Sequence, residues 1–459
     1  MLGKLLQPEI NEIIAIRDFA SLKSIITEWT PPEIADVIDD VEIEDRAIIF
    51  RLLPRELATA TFEYLDIESQ EQLLRALAQS EVADIINDMA ADDRTMLFEE
   101  LPGPITKQLI TLLSPQERLT ALKLLGYPEE SIGRLMTPEY IAVHEDWTVQ
   151  QVLDFIRKNG DDQENLQIVY VIDYRGRLID DIKINKFLIT SLDTKVEDIM
   201  DSTFVSLSAM DDQETAVEVF RKYDREALPV VDSGGHLLGV VTVDDVLDVA
   251  EEEATEDIQK LGGVEALDEP YMDIAFSRLI RKRAGWLVVL FLGEMFTATA
   301  MSFFEDELSK AVVLAMFIPL IISSGGNSGS QAATLVIRAL ALGEVTIKDW
   351  WRIIRREVFS GLALGLILGT IGFLRIEAWS MFSNIYGPHS LLIALTVGIT
   401  LVGIVMWGTL SGSILPLLLK RFGLDPATSS APFVATLVDV TGLVIYFGVA
   451  SIILSGTLL

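Results

Sequence analysis

One acidic residue, Asp439, stands inside the apolar stretch 431–458, APFVATLVDVTGLVIYFGVASIILSGTL. The stretch is long enough to cross a bilayer as a helix, which takes about 20 mainly apolar residues. A carboxylate in such a helix costs several kcal/mol and is retained for a reason. As a structural group it would be satisfied by neighbouring helices, with Thr436 and Thr441 as hydroxyl partners. As a functional group it is a cation site in a pore, the default for an ionisable residue at this depth. A second intramembrane acid, Glu294, has either a pore or interface role or reaches toward a membrane edge.

Two further stretches carry oxygen donors. FIPLIISSGGNSGSQAATLVIRAL holds Pro319 and the polar run 323–331, which predicts a broken membrane span facing protein or water. Exposed carbonyls with Asn and Ser side chains are hard donors, suited to a hydrated cation. The stretch 244–270, DDVLDVAEEEATEDIQKLGGVEALDEP, puts Asp245, Asp248, Glu252 and Glu256 on one helical face, with Glu253 and Asp257 beside them. It reads either as a solvated acidic helix ended by Gly262 and Gly263 or as a surface that divalent cations bridge.

Charge divides the elements that must position these groups. Residues 1–270 hold 23 Lys and Arg against 58 Asp and Glu, a net of −35, while the remainder holds 13 against 11. Such a pattern predicts a soluble acidic half and a membrane half. The acidic half cannot bind nucleic acid by neutralising phosphates; it attracts cations and repels itself. The chain has no Cys, which excludes disulfides, thiolate metal sites and thiol catalysis. Its first residues are amphipathic and unlike a secretory signal. Three separated histidines, His144, His236 and His389, form no nucleophile–base constellation, and no Walker motif is present, which argues against an enzyme.

Residues 1–130 read as helical throughout, and they repeat. DVIDDVEIEDRAIIFRLLP at 36–54 aligns with DIINDMAADDRTMLFEELP at 84–102, a shift of 48 that predicts stacked helix pairs. The pairs Asp39-Asp40 and Asp92-Asp93 read either as helix N-terminal caps and solvated faces or as cation ligands. Residues 131–250 turn to β signals. IVYVID and LPVVD are short strands, each followed by a Gly turn and a second strand, and each block opens on a Met motif around Met136 or Met200. The order β-α-β-β-α occurs twice and resembles a tandem CBS-domain pair, about 131–195 and 196–250. The first copy departs from the pattern, with RLIDDIKINKFL where GxVTxxD is usual. Such pairs are regulatory modules that often bind adenosine nucleotides or ions.

Five spans are predicted at about 284–304, 311–339, 358–378, 390–418 and 431–457. Gly361, Gly365 and Gly369, four apart in the third, imply close helix packing. Basic residues before the first span and after the second and fourth place the acidic half in the cytoplasm and the C-terminus outside. Arg375 is a minor exception.

Helical repeat, CBS pair, acidic linking helix and five spans, in that order, resemble the MgtE family of magnesium transporters. The resemblance rests on SSGGNSGSQAATLVIRALALGEV, DPATSSAPFVATLVDVTGLVIYF and DDVLDVAEEEATEDIQKLG. It implies a multidomain chain: an all-α superhelical N domain (1–130), an α/β tandem CBS pair (131–250), an acidic plug helix (251–275) and a five-helix transmembrane domain (276–459). It implies a homodimer in the inner membrane with a pore at the subunit interface. Asp439 would recognise hydrated Mg2+ there, assisted by the carbonyl of Ala435. Cytosolic Mg2+ would close the pore by binding among Asp92, Asp93, Asp224, Asp245, Asp248, Glu253, Glu256, Asp257 and Asp425. ATP at the CBS pair is a further implication. Two alternatives stand beside it: a membrane-anchored nucleotide or energy sensor that moves no ion, and a transporter of Co2+, Mn2+ or Ca2+.

Overall fold

A computed structural model describes residues 2–160, 166–267, 271–272, 274–383 and 385–458. The chain folds as two units, Met1–Ala250 and Glu251–Leu459.

The first unit opens with ten helices: α1 (Leu2–Ala15), α2 (Phe19–Ile26), α3 (Pro31–Asp40), α4 (Ile43–Leu52), α5 (Arg55–Glu63), α6 (Ile67–Ala76), α7 (Gln79–Asp88), α8 (Ala91–Glu100), α9 (Gly103–Ile110) and α10 (Pro115–Leu124). They share one core that includes Ile34, Ile38, Phe62, Leu73 and Ile86. The 48-residue shift relates α3–α4 to α7–α8, as the sequence predicts, but the repeating unit is half that long. Arg46, Gln70, Arg94 and Arg118 recur every 24 residues, and each reaches back to carbonyls at the end of a preceding helix. Arg46 Nη2 donates to Asp39 O at 2.8 Å, Gln70 Nε2 to Phe62 O at 2.8 Å, Arg94 Nη1 to Ile86 O at 3.2 Å and Arg118 Nε to Ile110 O at 3.0 Å. The last carbonyls of a helix lack intrahelical donors and carry the negative end of its dipole, so a cationic side chain suits them. Arg94 is wholly buried and paired with Glu117 at 2.5 Å. Asp39 and Asp40 close α3 instead of capping a helix N-terminus, because Glu42 is the N-cap of the next helix. Asp92 and Asp93 do lie in the first turn of α8.

After the short helix α11 (Ile132–Leu135) come two matching α/β modules. The first is β1 (Ala142–His144), α12 (Val149–Asn159), β2 (Ile168–Ile172), β3 (Leu178–Lys183) and α13 (Ile184–Ile189). The second is β4 (Leu207–Ser208), α14 (Gln213–Tyr223), β5 (Ala227–Val231), β6 (Leu237–Thr242) and α15 (Val243–Leu261). In each sheet the first pair is parallel and the second antiparallel. Asp173 and Asp232 occupy matching turns, each carboxylate accepting backbone N–H bonds from residues two and four ahead. The departure in the first copy has a structural cause. Asp180, 1% exposed, accepts from the backbone N–H of Asp181, Asp201 and Ser202 and fastens β3 to the start of the second module.

The acidic helix begins directly at the end of β6, at Val243, and stops at Leu261, short of the expected 251–275. Gly263 ends it at φ +73°, a conformation that suits glycine. Residues 268–270 and 273 of the expected segment lie outside the described residues.

The second unit holds α16 (Phe276–Phe303), α17 (Glu305–Lys310), a 3-10 turn at Val312–Phe317, α18 (Ile318–Ala341), α19 (Trp350–Ser380), α20 (Ser390–Arg421) and α21 (Ala431–Leu454). Five helical segments among these are long and apolar enough to cross a membrane. The second span is not broken. Pro319 lies in the first turn of α18, where its missing N–H is not needed. The glycines of the polar run serve packing: a Cβ on Gly408 of α20 would stand 2.3 Å from Gly325 O, and one on Gly412 would stand 2.1 Å from Gly329 O. Such small-residue seams let membrane helices approach closely. The α19 stripe works in the same way, with Gly365 against Val402 and Gly369 against Gly398.

Candidate functional site

The membrane carboxylate sits on a face of α21 turned toward α18. Ala431, Ala435 and Asp439 follow at intervals of four, one stripe of a helix. Ser330 of α18 donates to Ala431 O at 3.0 Å. A Cβ at Gly326 would meet Ala435 Cβ at 3.3 Å and Asp439 Oδ1 at 3.8 Å. Thr436 and Thr441 do not serve Asp439, contrary to the structural expectation. Their hydroxyls donate to Pro432 O (3.0 Å) and Leu437 O (2.8 Å) of their own helix, and Trp407 donates to Thr441. The group within hydrogen-bonding reach of Asp439 is the carboxyl of Glu294. α16 delivers it, with Gly293 packed on Thr436. Glu294 is therefore beside the membrane carboxylate and not snorkelling to an edge. Two carboxyls this close in an apolar span repel each other unless a proton or a cation neutralises them.

In the first unit a second set of acids meets. Asp93 of α8 lies against Asp244 and Asp248 at the start of α15; burial first, then those two charges, push its carboxyl up to about 6. Asp245 rises to about 7, through burial first and then through Asp244 and Asp93, against a hydrogen bond from the Thr242 hydroxyl at 2.6 Å that works the other way. Glu63, at the end of α5, rises to about 7 through burial and Asp93. Asp92 is 1% exposed, one residue away. Asp224 is elsewhere. It ends α14 in a left-handed conformation, φ 51°, and lines a cleft of about 230 Å3 with Gln167, Lys183, Arg225 and Glu226.

In the second unit Glu256, Asp257 and Asp425 converge on a lysine. Lys260 Nζ lies 2.8 Å from Asp425 Oδ2 and is also paired with Glu256, one turn earlier. Asp257 is raised by burial and then by Asp425. Glu253 is half-buried one turn before Asp257 on the same helix. Asp425 also caps the short helix Pro426–Thr428 that leads to α21, accepting from Ala427 N at 2.8 Å.

The expected residues thus fall into four places: Ala435 and Asp439 in the membrane, Asp92, Asp93, Asp245 and Asp248 together in the first unit, Asp224 apart from them at the cleft of the α/β modules, and Glu253, Glu256, Asp257 and Asp425 in the second unit. Among the described residues no three His, Cys, Asp or Glu are assembled to hold a bare metal ion. Mg2+ does not require that; it keeps several waters and is held by one or two carboxylates, and an all-oxygen donor set suits it. Sequence reasoning passed over Glu63, Asp244 and Lys260. Glu63 has no local signal. Asp244 lies one residue off the acidic face, and the i, i+4 spacing of Glu256 and Lys260 was the available hint of an ion pair.

Comparison with known proteins places this arrangement. A family model described as a divalent cation transporter, MgtE, matches residues 318–449. The MgtE intracellular N domain matches 29–130, and CBS domains match 132–182 and 196–252. The magnesium transporter MgtE of Thermus thermophilus is 38% identical over 448 residues, covering 97% of this chain and 98% of that one. The chain belongs to the MgtE family of magnesium transporters. The MgtE of Bacillus subtilis is 29% identical over 436 residues, 95% of this chain and 94% of its own. A crystal structure of the cytosolic domain of the Mg2+ channel MgtE in complex with ATP is similar at 33% identity and TM-score 0.50, covering 52% of this chain and 98% of that one. MgtE membership and five apolar helical segments make this a multi-pass membrane transporter, and the reading as a transport-free sensor falls.

Proposed function

We propose that the chain imports Mg2+ through a path in which Asp439 recognises the hydrated ion, and that cytosolic Mg2+ closes this path. The observation that carries the reading is the placement of Asp439. Its neighbouring hydroxyls are turned to their own helix, and a second carboxyl stands beside it. That arrangement has no use as packing and suits a hydrated divalent ion, which needs few direct ligands.

The closing step is assigned to the two cytosolic acid sets. Where Mg2+ is scarce, the carboxylates repel one another and favour an open state. Where it is plentiful, ions bridge them and the acidic helix is held in the closed state, so Mg2+ acts by binding one of two states better. The raised carboxyls of Glu63, Asp93 and Asp245 support this: burial first, and neighbouring acids second, make their charged forms costly, and a bound divalent cation offsets both. The domain assignment follows: helical repeat 1–130, CBS pair 131–250, plug segment from there to 275, membrane domain 276–459. A homodimer with the path at its interface is supported by α16, which has no buried residue within the chain although it carries Glu294. The acidic half is assigned to the cytoplasm and the C-terminus to the outside, from the basic residues flanking the spans. ATP is assigned to the CBS cleft, whose lining includes the cations Lys183 and Arg225, residue types that suit phosphates, with Arg225 also paired to Asp181 at 3.3 Å.

The test is Mg2+ entry into proteoliposomes. Asp439→Asn keeps the shape and removes the charge. It should reduce flux at least about tenfold, the loss of roughly 1.4 kcal/mol of recognition. Undiminished flux in that variant would move recognition to another residue, with Glu294 first in line.

A further inference from the structure

The second acid set holds a cation of its own. Lys260 is on the same helix as Glu256, one turn on, and its ammonium spans from Glu256 to Asp425. Burial alone would lower its pKa, but hydrogen bonds to Asp425 and Glu256 outweigh burial and hold it above an ordinary lysine, so it is charged at any working pH. The contact joins two parts of the second unit that lie far apart in sequence. One is the end of the acidic helix. The other is the connection that opens α21, the helix carrying Asp439.

The same joint is reinforced by further contacts. Gly263, where the helix ends, packs on Trp286, whose Nε1 donates to Ser430 at 3.0 Å. The Lys282 ammonium donates to Ala266 O, and Leu267 N donates to Gln259 Oε1 at 2.6 Å. A cavity of about 380 Å3 lies against Glu256, Lys260, Gly263 and Trp286. It leaves room for the lysine side chain to swing aside and for a hydrated ion to enter.

We infer that Lys260 is a tethered stand-in for the regulatory divalent cation: it bridges Glu256 to Asp425 and holds part of the population closed when Mg2+ is absent. The inference rests on the gating reading above. A cation fixed to the helix acts at an effective concentration of order millimolar or more, set by its tether and not by the solution. Mg2+ and Lys260 therefore compete for the same carboxylates, and the lysine-held closed state does not take up Mg2+ at this joint.

This competition has a signature that simple damage does not reproduce. If the lysine-held closed state is K times as populated as the open state, Mg2+-free flux is reduced by a factor of 1 + K. The Mg2+ needed for half-closure is increased by that same factor. Lys260→Gln, which keeps a donor and loses the charge, should raise Mg2+-free flux and lower the half-inhibiting Mg2+ by one common factor. Two partly exposed ion pairs make that factor about two to five. Flux at saturating Mg2+ should be unchanged. Lys260→Arg, which keeps the charge, should follow the wild type.

The experiment is Mg2+ uptake by the full-length protein in proteoliposomes, with cytoplasmic-side Mg2+ titrated from zero, for wild type, Lys260→Gln and Lys260→Arg. The Mg2+ dependence of thermal unfolding of each purified protein gives a second readout, expected to shift to lower Mg2+ in the Gln variant. Unchanged Mg2+-free flux in Lys260→Gln, a half-inhibiting Mg2+ that stays or rises, or an Arg variant that behaves like Gln would each overturn the inference. A wild type that Mg2+ does not inhibit would instead overturn the gating reading, and the three variants would then show flat curves.

Discussion

Asp93 and Asp425 are both expected to meet cytosolic Mg2+, yet their surroundings have opposite character. The charges set against Asp93 are Asp244 and Asp248, and carboxyls around it are pushed up to about 6 or 7. Asp425 faces Asp257 but shares Lys260 with Glu256. The first set is buried and crowded with like charge, which an added cation or proton relieves. The second is partly neutralised by the chain itself. On the gating proposed above, one region would respond strongly to ions and the other would limit how far the protein opens without them.

The sharpest way to break this comparison is to neutralise acids of each set separately and look at the sign. Asp93→Asn with Asp245→Asn removes repulsion, so the Mg2+-free protein should melt about 2–4 °C higher, the scale of roughly 1 kcal/mol in a domain of this size. Added Mg2+ should then stabilise it less. A lower melting temperature would mean that these acids support the apo fold and that the crowding is not strained.

Proton binding tests the same set without mutation. Glu63, Asp93 and Asp245 titrate near 7, 6 and 7 in the folded chain, against 4.5, 3.8 and 3.8 as ordinary side chains. Between about pH 4 and 7 the folded state therefore binds more protons than the unfolded state. Their contribution to stability is full below about pH 4 and is lost as pH rises through 6 to 7. In a chelator, thermal stability should fall from pH 5.5 to 8, and millimolar Mg2+ should restore it at pH 8 more than at pH 5.5. A Mg2+ effect equal at both values would detach these acids from the ion.

The smallest effect is expected in the second set, with reversed sign. Asp425→Asn keeps the helix cap but takes a partner from Lys260, so Mg2+-free stability should drop by about 0.2–1 kcal/mol, the range of an exposed ion pair. In that background Lys260→Gln should have little further effect on Mg2+-free flux, since contacting residues couple in a double-mutant cycle. Additive changes would separate the two residues.

What was legible in the sequence was what is local or periodic. The two β-α-β-β-α modules, the five apolar spans and the glycine stripe of α19 were read from spacing alone. The 24-residue unit was hidden because Gln70 interrupts the series Arg46, Arg94 and Arg118, while the 48-residue shift pairs Arg46 with Arg94. Pro319 and the polar run of α18 suggested a broken helix, but Pro319 falls in the first turn, and the partners of the run's glycines, Gly408 and Gly412, are on another helix. Thr436 and Thr441 were near Asp439 in sequence but satisfied by their own helix, while Glu294, far away in sequence, was the actual neighbour. Tertiary partners of this kind leave no periodic trace.

The central claim is that acids of the first unit convert cytosolic Mg2+ into closure without taking part in conduction. Mg2+ uptake into proteoliposomes, measured against stepped cytoplasmic-side Mg2+ for wild type and the Asp93→Asn, Asp245→Asn, Asp248→Asn triple variant, tests it most directly. The account predicts equal or lower flux at zero Mg2+, because the repulsion that favours the open state is gone, and a half-inhibiting Mg2+ raised about tenfold or more, the equivalent of roughly 1.4 kcal/mol. A triple variant that closes at the same Mg2+ as wild type would contradict it.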